Sequence, residues 1–76
     1  MERTKLAWTR KMRGMSQSQL ARAAGISIRV IQLAEQRQRS VDNMSAHSLY
    51  RLATALEVPM ESLLEHEFDE KVVAKR

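Results

Sequence analysis

Apolar residues recur along this chain at spacings of three and four, and the runs are separated by glycine, serine or proline. Leu20, Ala21 and Ala24 lie at i, i+1 and i+4, and Ile31 and Ala34 are three apart. Leu49, Leu52, Ala53 and Leu56 repeat at i, i+3, i+4 and i+7. Each set places its apolar side chains on one stripe of a helix. Two short helices, one reaching about residue 24 and one over about 28–36, meet at Gly25. A residue with φ > 0 there ends the first helix and turns the chain. Ala21 is small enough to let two steeply crossed helices approach closely, and Ser27 can cap the second by accepting from an otherwise unpaired backbone N–H.

The rest of the chain is arranged around this pair. Residues 3–13 read as a helix ended by Gly14, with Leu6, Thr9, Arg10 and Arg13 on one face and Trp8 and Met12 on another. Met15 is an apolar plug, and Ser16 with Gln19 forms an S-x-x-Q capping box opening the next helix. Residues 36–45 are polar apart from Val41 and Met44 and read as a loop, with Met44 as its anchor. Ser45 caps a helix over about 46–57. Pro59 breaks it, because proline lacks a donor and disfavours helix at Val58. Proline also suits a helix start, so a fifth helix follows, with Glu61 in its first turn and Leu63 and Leu64 as anchors. The charged end carries Phe68, Val72 and Val73 as its apolar residues.

Seventy-six residues make one small domain with a modest core, assigned to 1–66, and a tail over 67–76. The chain has no cysteine, which removes disulfides and thiolate metal sites and suits a reducing cytoplasm. No apolar run approaches the ~20 residues of a membrane span, and the N-terminus lacks a signal-peptide core, so a soluble cytoplasmic protein is expected. The net charge of +4 is divided unevenly: residues 1–39 hold nine basic and two acidic groups, residues 40–76 four basic and seven acidic. One end of the domain is therefore expected to attract polyanions. His47 and His66 fall on different predicted helices without clustered ligands, and with two glycines in the chain there is no phosphate-cradling loop or nucleophile elbow. The expectation is no catalytic residue, no metal site and no cofactor.

Gln17, Ala21, Gly25, Ile31 and Ala34 stand at the signature positions of the helix-turn-helix in the Cro/phage-repressor (XRE-like) DNA-binding family. The chain resembles that family over about residues 4–65; Arg10, the run Gly14-Met15-Ser16-Gln17, Glu35 and the stretch 49–58 match as well. The resemblance implies an all-α, five-helix, lambda-repressor-like domain binding double-stranded DNA as a small transcriptional regulator. The second helix of the motif then enters the major groove N-terminus first. With Ile31 and Ala34 inward, the base-reading side chains are Ser27, Ile28, Arg29, Gln32 and Leu33. Arg29 can contact guanine O6 and N7, Gln32 can pair with adenine, and Ile28 and Leu33 suit a thymine methyl. Gln17 resembles the family's phosphate anchor at a helix N-terminus, and Arg37, Arg39 and Asn43 are placed to contact the same backbone. Arg10 and Glu35 match positions that pair in the family, joining the first helix to the end of the third.

Two questions stay open in the sequence. Ile28, Val30 and Leu33 make the outer side of the reading helix unusually apolar, so a protein-interaction module, antitoxin-like or anti-repressor-like, is the alternative function. One reading helix also covers too few base pairs to single out a site, so a homodimer is expected. Leu63, Leu64, Phe68, Val72 and Val73 of the fifth helix and tail could form it. Alternatively, the tail folds back on Trp8 and Met12 of its own chain, or is a frayed end.

Overall fold

Hydroxyl side chains open all four helices of the computed structural model, which describes residues 4–65. Thr4 Oγ1 accepts from the Ala7 N–H (3.1 Å) at α1 (Lys5–Met12), and Ser16 Oγ from Gln19 (3.0 Å) at α2 (Gln17–Ala24). Ser27 caps α3 (Ile28–Glu35) and Ser45 caps α4 (Ala46–Leu56) in the same way. At α2 the capping box is complete, because the Ser16 N–H donates back to Gln19 Oε1 at 2.8 Å. Each such bond satisfies a donor that the helix itself leaves unpaired, and is worth about 1 kcal/mol.

The helices also share one way of stopping. Gly14, Gly25, Arg37 and Glu57 all have left-handed backbones, with φ of 69°, 70°, 62° and 60°. In each case the next residue's N–H reaches back five positions: Met15 to Arg10, Ile26 to Ala21, Gln38 to Leu33 and Val58 to Ala53, at 3.0–3.1 Å. Two of these four stops carry no glycine, so the sequence does not signal them.

Residues beyond α4 depart from the expected fifth helix. Pro59 is followed by one 3₁₀ turn, Met60–Leu63, and Leu64 is already extended. Leu63 is fully buried, and the Glu65 N–H donates to Asp42 Oδ1 at 2.9 Å. Those two attachments straighten the chain after a single turn. A second 3₁₀ turn, Val41–Asn43, lies inside the loop after α3 and is capped by Ser40. It carries Val41, rather than Met44, into the core, and Met44 packs at the margin. The described residues are thus all helical, with four α-helices and two 3₁₀ turns.

Leu6, Leu20, Ile31, Leu52, Leu56 and Leu63 are fully buried and contribute one side chain or more from α1, α2, α3, α4 and the second 3₁₀ turn. Burying a leucine or isoleucine completely is worth roughly 1.5–3 kcal/mol, so these six dominate the core. Ala21, Ala24, Ala34 and Ala53 fill the places where α2 meets α3 and α4. No helix among the described residues is long and apolar enough to cross a membrane. His66, Phe68, Val72 and Val73 lie outside the described residues.

Candidate nucleic-acid interface

The start of α3 is open to solvent. Ile31 and Ala34 turn into the core, at 0% and 4% exposure, which rotates Ser27, Ile28 and Arg29 into solvent. Gln32 and Leu33, one turn further on, are half-buried flanks of the same face. Ser27 Oγ accepts from the Arg29 N–H at 3.1 Å, so its oxygen is engaged as a cap while its hydroxyl proton can still be donated. The Arg29 guanidinium has no partner among the described residues. Ile28 is 37% exposed, whereas Val30 and Leu33 are half-buried, so the apolar outer surface is narrower than their spacing suggests.

Behind α3 lies a network of four hydrogen bonds. Arg10 Nε donates to Glu35 Oε2 at 2.7 Å and Arg10 Nη2 to Glu35 Oε1 at 2.9 Å. Arg10 Nη1 donates to the Met15 carbonyl at 2.7 Å, and Gln17 Nε2 to Glu35 Oε1 at 3.0 Å. The two charged side chains are only 10% and 8% exposed. One guanidinium thereby ties α1, the turn before α2 and the last residue of α3 into a single unit. A planar fork holding a carboxylate by two parallel bonds allows little rotation, which orients α3 against the rest of the domain.

Gln17, at the start of α2, also has a partner inside the fold. One of its amide hydrogens is held by Glu35, inside the domain, so its side chain braces the ion pair. Its backbone N–H, at the first position of α2, is among the donors that a helix start leaves unpaired. In the loop, Arg39 and Asn43 are exposed. Arg37 is exposed too, but its Nη1 lies 4.0 Å from Glu65 Oε1, which draws the charge toward the end of the described chain.

Several ties have no counterpart in the sequence pattern. Arg51 Nη1 of α4 donates to the Gly25 carbonyl at 3.2 Å, pinning the turn between the two motif helices. The Glu65 carboxylate accepts from the Lys5 N–H at 2.6 Å, placing a negative charge at the positive end of α1. Both join residues far apart in the chain through exposed polar side chains, which carry no periodicity. Among the described residues, no group of three His, Asp or Glu is gathered as metal ligands would be.

A capped helix start with an open arginine, held by a buried brace and followed by exposed arginines in a loop, suits a surface that meets a polyanion and probes it with side chains. Neither a curated protein nor a solved structure matches the chain significantly. A family model describing the Cro/C1-type helix-turn-helix DNA-binding domain matches residues 5–69, which is most of the chain. By that match and this architecture, the chain belongs to the Cro/C1-type helix-turn-helix family of DNA-binding domains, whose usual role is transcription regulation.

Proposed function

We propose that this chain binds double-stranded DNA sequence-specifically, as a small repressor-like regulator, with α3 in the major groove. The observation carrying this reading is the open first turn of α3, where Arg29 stands exposed on the basic half of the chain. In that pose Arg29 reads guanine, Gln32 and Ser27 offer polar contacts from the same face, and Ile28 and Leu33 meet thymine methyls. Arg39, Asn43 and the free N–H groups at the start of α2 hold phosphates, with Arg37 joining them once it leaves Glu65. A bacterial or phage-type regulator of this kind acts in the cytoplasm, where the DNA is.

Two copies on half-sites about one helical turn, roughly 34 Å, apart would supply the specificity that one reading helix lacks. Full burial of Leu63 removes it from any such interface. Half-buried Leu64 is the described residue of the expected dimer surface left to meet a second copy, and Phe68, Val72 and Val73 lie outside the described residues.

Selection of binding sites from random duplex DNA at two salt concentrations tests the reading. Arg29→Ala is expected to lose about 1–3 kcal/mol on the preferred site and to relax preference at one base pair. Arg39→Ala is expected to weaken all sequences alike and to flatten the salt slope by roughly one unit. Unchanged sequence preference in Arg29→Ala would show that another face enters the groove. Docking of α3 on a protein through Ile28 would instead give association that salt hardly weakens.

A further inference from the structure

Trp8 and Met12, one turn apart on α1, are 55% and 66% exposed, although large apolar side chains are those a small domain has most reason to bury. They line a groove of about 1020 Å³ with Lys5 and Arg13 on one wall, and Val58 and Ser62 stand on the other. We propose that this groove is a self-association surface, in which α1 of each molecule lies over the 58–62 wall of a second copy. The proposal deepens the reading that two copies act together, by naming the surface through which they meet.

Charge selects this occupant. The two walls run in opposite directions: Arg13 Nη2 donates to the Glu57 carbonyl at 3.2 Å at one end, and Glu65 accepts from the Lys5 N–H at the other. The α1 wall is basic at both ends, with Lys5 and Arg13, whereas exposed Glu57 and Glu61 directly precede the lining residues of the facing wall. Within one molecule these charges are incompletely matched. Arg13 Nη1 lies 3.9 Å from Glu57 Oε1 between exposed side chains, and the Lys5 ammonium and Glu61 carboxylate have no ion-pair partner among the described residues. A two-fold axis along the groove sets Lys5 opposite Glu61 of the second copy and Arg13 opposite Glu57, each pair occurring twice. The same axis seats Trp8 and Met12 against Val58 and Ser62 of the other copy. An axis across the groove would instead oppose Lys5 to Arg13 and Glu57 to Glu61, like charges that repel. Of the other charges nearby, Lys11 is outside the lining, and the Glu65 carboxylate is engaged by the Lys5 N–H. The patch falls short of the roughly 20–30 residues per side of a standard stable interface, so the dimer is weak and forms only in concentrated protein.

None of the groove residues belongs to α3, so sedimentation of the full chain without DNA tests this surface separately from the DNA reading. The parent is expected to pass from monomer to dimer as its concentration rises toward millimolar. Emission of Trp8, the sole tryptophan, is expected to move to the blue in step. Trp8→Ser is expected to keep the helical circular dichroism and stay monomeric. Lys5→Glu and Glu61→Lys are each expected to weaken dimerisation by roughly tenfold, since two surface ion pairs become repulsions. An equimolar mixture of these two variants is expected to dimerise like the parent, because every facing pair of charges is again opposite in sign. A parent that stays monomeric throughout would overturn the proposal. So would a Trp8→Ser variant that dimerises at the parental concentration, or a mixture that associates no better than its components.

Discussion

Replacing Arg10 by methionine keeps most of the side-chain volume and removes the charge that Glu35 faces. The Glu35 carboxylate, at 8% exposure, would lose two of its three hydrogen bonds and keep only the one from Gln17. The Met15 carbonyl would lose its donor as well. Breaking a buried pair in this way costs about 3–5 kcal/mol, because the remaining charge is left in a poorly solvated site. A domain of 76 residues has only about 4–11 kcal/mol of stability in total, at roughly 0.05–0.15 kcal/mol per residue. Arg10→Met is therefore expected to consume a large fraction of it, up to all. The double variant Arg10→Met with Glu35→Leu removes both charges and is expected to be more stable than Arg10→Met alone, since apolar replacement of a whole buried pair is often neutral. Urea denaturation followed by far-ultraviolet circular dichroism gives the midpoints of the parent, Arg10→Met, Glu35→Leu and the double variant, with a constant slope showing that the denatured states are comparable. A cost below about 1 kcal/mol for Arg10→Met would show that the buried site is well solvated. A double variant as unstable as the sum of its two single variants would show that the side chains do not act as a unit.

Gly25 has φ of +70°, and a Cβ there would sit 3.1 Å from Arg51 Nη1, so Gly25→Val is expected to lower stability by about 1–3 kcal/mol. A Tm equal to the parent would rule out the left-handed turn. Glu57 adopts φ of +60° without being glycine, and its ion pair with Arg13, at 3.9 Å between exposed side chains, contributes little. Glu57→Gly is accordingly expected to stabilise by about 0.5–1 kcal/mol, the relief of left-handed strain exceeding glycine's entropy cost, and a lower urea midpoint would contradict that balance. Ser16→Ala removes the capping box at the start of α2 and is expected to cost about 0.5–2 kcal/mol in the same titration. An unchanged midpoint would mean that water satisfies the Gln19 N–H equally well.

Local chemistry made much of this architecture legible. The three- and four-residue spacing of Leu20, Ala24, Leu49, Leu52 and Leu56 marked the buried stripes, because a helix returns to the same face at that interval. Ser16, Ser27 and Ser45 marked the helix starts, and Gly14 and Gly25 two of the stops, since each acts on backbone within a few residues of itself. The pairing of Arg10 with Glu35 was available through the family resemblance alone; residues 25 apart have no local signal.

What tertiary structure decided has a common physical cause. Arg37 and Glu57 hold left-handed backbones, against their own preference, where the next residue's N–H closes back on Leu33 and Ala53. Pro59 was a sound reason to expect a helix, yet burial of Leu63 and the Asp42 tether to Glu65 limit it to one 3₁₀ turn. Gln17 resembles the family's phosphate anchor, and its tie to the carboxylate of Glu35, brought within 3.0 Å only by the fold, has no sequence signal. Periodicity and capping are properties of a few consecutive residues and survive in the sequence. A hydrogen bond between distant polar side chains depends on where the packed helices put them, and that position exists only once the core has closed.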